Sequence, residues 1–191
     1  MGRWAPDARG RLQQAAMELY AERGYDRTTT ADIAERAGLT ERTYFRHFAD
    51  KREVLFGGTA EVEAAMLAAV TAAPADAAPI EAVAAGLDAV AHLLQSYGQD
   101  PRSRAAIVSG HADLRERELI KMAALAGSLT STLRERGVGE PVATLTAEAG
   151  VTVFRVAFDR WVAEPAGPEL PVVMAGSLDQ LRAVVAGHPR Q

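Results

Sequence analysis

The chain has 191 residues, no cysteine and a net charge of −4. That length suits one large helical domain or a small head on a larger body; the missing cysteine excludes disulfides and thiolate metal sites; and no apolar run reaches the roughly 18 residues of a membrane span. The negative charge gives no compositional sign of a nucleic-acid binder, although residues 1–56 hold ten Lys and Arg against nine Asp and Glu, and the remainder eleven against sixteen.

MGRWAPDARG at the N-terminus has two arginines with no apolar stretch behind them, so no secretory leader is expected and the cytoplasm is the default compartment. A first helix is expected from about Pro6 to Arg23, with Ala8, Leu12, Ala15, Ala16 and Leu19 on one stripe. Gly24 stands where a left-handed cap would end it, and Tyr25 can pack back on the last turn. Thr29 and Asp32 have the spacing of a capping box, which opens a short second helix buried through Ile33, Ala34 and Ala37. Gly38, Leu39 and Thr40 make a tight turn. Thr40 caps a third helix, Glu41 to Phe48, in which Tyr44 and Phe48 point inward together. Asp50, with Glu53, caps a fourth, which the apolar pattern continues through Val54, Leu55, Met66 and Leu67 to about Val70.

The Ala/Pro-rich residues 71–80 read as a loop. A fifth helix follows from about Pro79 to Tyr97, with Val83, Leu87, Val90 and Leu94 on one side, and Gly98-Gln99-Asp100-Pro101 breaks it. A short sixth helix carries Ile107 and Val108. A seventh carries Met122, Leu125, Leu129 and Leu133, and ends at Arg134, Arg136 and Gly137. The eighth, from Pro141 to about Ala163, is apolar almost all round, which predicts burial on more than one side. Residues 164–171 form a loop, and a ninth helix holds Val173, Met174, Leu178, Leu181 and Val185. The fold class is therefore all-α, with about nine helices, divided into a head over residues 1–56 and a helical-bundle body over residues 57–191.

Helix, glycine turn, helix from Thr30 to Phe48 is the layout of a helix-turn-helix, whose second helix enters the major groove of DNA. The run TTADIAERAGLTERTYFRHFADKREVL, preceded by AMELYAERGYDR, resembles the DNA-binding head of the TetR family of repressors. The resemblance runs without gaps from about Ala8 to Phe56. It rests on Gly24-Tyr25, the threonine cluster, Ile33-Ala34, Ala37-Gly38, Arg46-His47-Phe48 and Lys51. It implies an all-α homodimer joined through its last two helices, bound to an inverted-repeat operator in double-stranded DNA and released by a small-molecule effector. In the body the resemblance supplies architecture only.

Residue by residue, the resemblance implies that Thr30 offers its hydroxyl and backbone N–H to a phosphate, or is a plain N-cap. Thr40, Glu41, Arg42 and Thr43 form the first turn of the recognition helix. Arg42 is the candidate for a bidentate contact to guanine, with a phosphate or solvent contact as the other reading; Glu41 accepts from cytosine or makes an intrahelical pair. His47 meets a phosphate, and Lys51 does so from the start of the fourth helix. Phe45 departs from the family, where tyrosine is common at this place. It either packs on a sugar or thymine methyl or is a buried ring.

Leu94, Tyr97, Ile107, His111, Met122, Phe154 and Phe158 are candidates for an effector pocket, against the simpler reading of ordinary core. Arg155 and Asp159 have the spacing of an intrahelical pair, and Ala175-Gly176-Ser177 would let two helices approach closely. There is no GxGxxG, Walker loop, GxSxG or HExxH. His47, His92, His111 and His188 lack metal-ligand spacing, so no metal or cofactor is expected. Two other classes stay open: a ligand-sensing helical dimer without sequence-specific DNA binding, and a ligand-processing helical enzyme.

Overall fold

A computed structural model describes residues 8–97 and 100–187. Among these the regular elements are all helical: α1 (Ala8–Arg23), α2 (Thr30–Arg36), α3 (Glu41–His47), a one-turn 3-10 helix (Glu53–Phe56), α4 (Thr59–Ala72), α5 (Pro79–Ser96), α6 (Asp100–Gly110), α7 (Ala112–Glu135), α8 (Val142–Ala163) and α9 (Leu170–Val185). The expected class and order of helices hold. Pro6, the Gly98-Gln99 break and His188 lie outside the described residues.

The chain divides into two compact units. One holds the described residues up to Thr59 together with Ser103–Glu116; the other holds Ala60–Arg102 and the residues from Arg117 onward. Residues 103–116, read from sequence as body, thus cluster with the head.

The head core is built from the stripe of α1 (Leu12, Ala15, Ala16, Leu19), Ile33 and Ala34 of α2, and Tyr44 and Phe48 of α3. Val54, Leu55 and Phe56 complete it from the 3-10 helix, with Val108 and Leu114 from residues 103–116. Tyr25 packs into it after Gly24, as expected, with its ring 5.3 Å from that of Tyr20. Arg104 fastens the late segment. Its Nε donates to the Leu55 carbonyl at 2.7 Å, and its guanidinium lies 4.8 Å from the centre of the Phe56 ring. Each fully buried leucine here contributes about 1.5–3 kcal/mol of transfer free energy.

In the body, α5, α8 and α9 pack on one another. Met66 and Val70 of α4 and Leu125, Leu129 and Leu133 of α7 complete a core that includes Phe154, Trp161, Leu170 and Met174. Arg136, just past α7, donates to the carbonyls of Thr71, Ala73 and Pro74 at 3.1, 2.9 and 2.6 Å. It thereby satisfies acceptors that the end of α4 leaves without an intrahelical partner. Arg102 lies 3.7 Å over the Trp161 ring and donates to the Trp161 carbonyl.

Two expectations are corrected. The fourth helix does not run unbroken from Asp50 to Val70. The 3-10 helix ends at Phe56, Gly57 and Gly58 form a turn, and α4 begins at Thr59. Val54, Leu55 and Phe56 are consecutive and all buried, which an α-helix with one inward face cannot achieve. An 18-residue window within residues 53–72 has a mean hydropathy of 1.4; Met66 and Val70 in that stretch are fully buried in the body core. The second correction concerns α8. Its apolar residues are not all covered: Val142, Leu145 and Val156 are exposed by 50, 66 and 45 %, while Val151, Val153, Phe154 and Trp161 are buried.

Candidate nucleic-acid interface

Local hydrogen bonds set α2 and α3 in place. At the start of α2, Thr29 Oγ1 accepts from the Asp32 amide at 3.2 Å, and Asp32 Oδ2 accepts from the Thr29 amide at 2.8 Å. The expected capping box is therefore closed in both directions. Asp32 also receives the Thr29 hydroxyl and pairs with Arg23 at 2.7 Å. The Thr29 hydroxyl bond, then the Thr29 amide and Arg23, hold the carboxyl down at about 2.

After α2 the Gly38 amide bonds the Glu35 carbonyl and the Leu39 amide bonds the Ala34 carbonyl, at 2.9 and 2.8 Å. This closure needs the left-handed backbone of Gly38, φ +66°. Arg11 donates to the Ala37 carbonyl at the same corner. Thr40 then caps α3 as expected, accepting from the Thr43 amide at 3.2 Å. Its hydroxyl also lies 3.0 Å from that of Thr43, which is half-buried.

The phase of α3 follows from two rings. Tyr44 is fully buried and donates its hydroxyl to the Asp50 carbonyl at 3.1 Å; burial raises its pKa. Phe48 packs beside it, with ring centres 5.5 Å apart. The opposite side of α3 presents Glu41, Arg42, Phe45 and Arg46 to solvent. Phe45 is 52 % exposed and meets Tyr44 only edge-on, so the buried-ring reading of Phe45 is set aside. Arg46 is a residue that sequence reasoning passed over as a candidate contact. Its spacing of four from Arg42 puts both cations on one face, and that spacing was the available signal.

Other candidates have partners within the head. The Thr30 hydroxyl donates to Glu41 Oε1 at 2.6 Å, while the N-cap of α2 is Thr29, not Thr30. Lys51 does not open a fourth helix: it precedes the 3-10 helix. Its Nζ donates to the Tyr25 carbonyl at 2.9 Å and sits 4.0 Å over the Tyr25 ring. His47 is half-buried, and its Nε2 is shielded from solvent without a hydrogen-bond partner. Asp50 accepts from the Arg52 and Glu53 amides at 2.8 and 3.2 Å, and pairs with the Arg52 guanidinium. That hydrogen bond from Arg52 is the main reason its pKa is lowered.

The seven pocket candidates separate. Ile107 and His111 belong with the head: the His111 ring is 4.7 Å from that of Tyr25, its Nδ1 lies 2.8 Å from the Ile107 carbonyl and its Nε2 3.6 Å from Asp26. The other five belong to the body unit. Hydrophobic spacing reports burial but not which core receives the side chain. In the body, Leu94 and Phe154 are core residues and Met122 packs against that core. Phe158 stacks on Phe154 with ring centres 6.0 Å apart. Tyr97, at the end of α5, donates its hydroxyl to Glu61 at 2.6 Å; burial and that carboxylate push its pKa up to about 12. Two body grooves are lined by Arg160, Trp161, Glu164, Val172, Gly176 and Gln180, and by Glu81, Leu87, Asp88, Met174, Asp179 and Arg182; neither takes in any of the seven. Asp159 has its pKa raised by burial and then by Glu118, with Arg155 opposing.

Comparison with known proteins agrees with this geometry. Residues 12–56 match the family model described as bacterial regulatory proteins, tetR family. The HTH-type transcriptional regulator TcmR of Streptomyces glaucescens is 39 % identical over 82 residues, which is 43 % of this chain and 36 % of TcmR. The match therefore spans about a third of that relative's length. Among solved structures, the fatty acid degradation regulator FadR of Bacillus halodurans aligns over 99 % of this chain and all of its own, with a TM-score of 0.62 at 15 % identity. SmeT, the repressor of the Stenotrophomonas maltophilia multidrug efflux pump SmeDEF, aligns over 93 % of this chain and 89 % of its own, with a TM-score of 0.61 at 20 % identity. At these identities the solved structures establish the shared fold.

Proposed function

We propose that this chain, whose residues 12–56 match the tetR-family model, is a DNA-binding transcriptional regulator of that family, a repressor that a small-molecule effector releases from an inverted-repeat operator. The observation that carries the reading is the two-sidedness of α3. Tyr44 and Phe48 anchor one side in the head core, while Arg42, Phe45 and Arg46 stand exposed on the other. A recognition helix needs that arrangement: a fixed inner side and an outer side able to reach base edges and phosphates.

In this reading Arg42 contacts guanine and Arg46 a phosphate. Phe45 lies against a sugar or a thymine methyl, and Thr40, Thr43, His47 and Lys51 border the phosphate backbone. The exposed Val142, Leu145 and Val156 of α8, with Val172 and Val184 of α9, are the face through which two copies pair. Leu94, Tyr97, Met122, Phe154 and Phe158 surround the effector. The protein works in the cytoplasm, without a cofactor or catalytic step.

The experiment is recovery of genomic DNA bound by the purified protein at physiological salt. The reading expects a small set of fragments that share an inverted repeat. Uniform recovery, or none, contradicts it and leaves a ligand-sensing dimer that does not read DNA.

A further inference from the structure

The Thr30 hydroxyl and the Glu41 carboxylate lie 2.6 Å apart across the helix-turn-helix corner, the first residue of α2 against the first residue of α3. The capping duties of both helices are met by other residues. Thr29 caps α2 and Thr40 caps α3 through their own hydroxyls. Thr30 therefore contributes its side chain to something other than helix termination. A hydroxyl has one hydrogen to donate, and here it is given to Glu41, so a phosphate cannot take it at the same time.

The outcome is an oriented carboxylate on the turn of α3 that a helix-turn-helix directs at base edges. A carboxylate accepts hydrogen bonds and donates none. Beside DNA it is repelled by every phosphate, so it contributes nothing to general affinity. Its favourable partners in the major groove are the amino groups of cytosine and adenine. Adenine places its N7 acceptor next to that amino group, where a second carboxylate oxygen would be repelled; cytosine does not.

We propose that Thr30 and Glu41 act as one reading unit, in which Thr30 holds the Glu41 carboxylate so that it selects a cytosine through its N4 amino group. This rests on the DNA-binding reading above. Thr30 is a positioning residue in this account, and Glu41 determines specificity at one base pair in each half-site.

The test is enrichment of sequences from a library of DNA duplexes with a randomised centre, at one fixed salt concentration, for the wild type and for Glu41→Gln, Thr30→Ala and Thr30→Ser. The wild type is expected to enrich an inverted repeat with a cytosine at one defined position per half-site. Glu41→Gln replaces it with adenine, because an amide matches the N6 and N7 pair of adenine. That gain cannot come from a misfolded protein. Thr30→Ala relaxes the preference there on the order of tenfold and leaves the other positions intact, while Thr30→Ser keeps it. If Glu41→Gln enriches the wild-type consensus unchanged, or weakens all positions evenly, the reading unit is overturned while the regulator reading stands. If the wild type enriches no sequence, both are overturned.

Discussion

Gly57 lies so close to Gln13 that a Cβ built on it would stand 2.3 Å from the Gln13 amide nitrogen, with Phe48 at 3.3 Å on another side. Its carbonyl accepts from Arg9 at 3.0 Å. The head thus closes over this residue, and α4 begins only two positions later.

A first prediction follows from that contact. Gly57 has helix-like dihedrals, φ −61° and ψ −28°, so alanine is not strained there by its backbone. Gly57→Ala should push the Gln13 amide aside at a loss of no more than about 1 kcal/mol, because that amide is the flexible end of a half-buried side chain, and Gln13→Ala in the same chain should remove most of that loss. Urea melts of the two single variants and the double variant measure it. Additive losses would contradict the contact as the cause.

A second prediction concerns residues 103–116. Leu114 is fully buried in the same cluster as Ile33 and Tyr44. Leu114→Ala should cost about 2–5 kcal/mol and lower hydrogen-exchange protection in α2 and α3. If α2 and α3 keep wild-type protection, this segment is not part of the head core.

A third concerns pH. Asp32 is held at about 2, below the usual carboxylate value of 3.8, first by the Thr29 hydroxyl. Its folded pKa is depressed, so the stability it contributes is fully present above pH ~4 and is lost as pH falls through ~2. Between those values the wild type should lose more stability than Asp32→Asn, measured by denaturant midpoints. Parallel pH profiles would contradict the capping box as a source of acid sensitivity.

A fourth concerns pairing. Val172 is 61 % exposed and Val156 45 %. A glutamate at both places should convert a dimer to a monomer by sedimentation while the helical signal is retained. An unchanged dimer would place the interface elsewhere.

The head was largely legible in the sequence because its signals are local. Thr29 with Asp32, Gly38 and Thr40 each specify a hydrogen bond within a few residues, and all three are present. The spacing of Tyr44 and Phe48 gave the buried side of α3, and hence the exposed side. What the sequence hid was non-local. The apolar run from Val54 to Val70 reads as one helix, and only the three consecutive buried residues Val54, Leu55 and Phe56 reveal the break. Ile107 and His111 have the pattern of body residues, yet pack in the head. Lys51 sits where a phosphate contact was expected, yet its ammonium is already bonded to the Tyr25 carbonyl. The exposed valines of α8 could not be told from core valines, since the apolar pattern along a helix does not say which of its valines the rest of the chain covers.

In the proposed function the outer side of α3 reads DNA. The most direct measurement is an anisotropy titration of wild type and Arg42→Ala against the recovered operator and a scrambled duplex of equal length, at one salt concentration. The wild type should bind the operator about a thousandfold or more tighter than the scrambled duplex. Arg42→Ala should lose on the order of tenfold or more on the operator and much less on the scrambled sequence. Equal wild-type affinity for the two duplexes, or an Arg42→Ala variant that keeps the full discrimination, would contradict it.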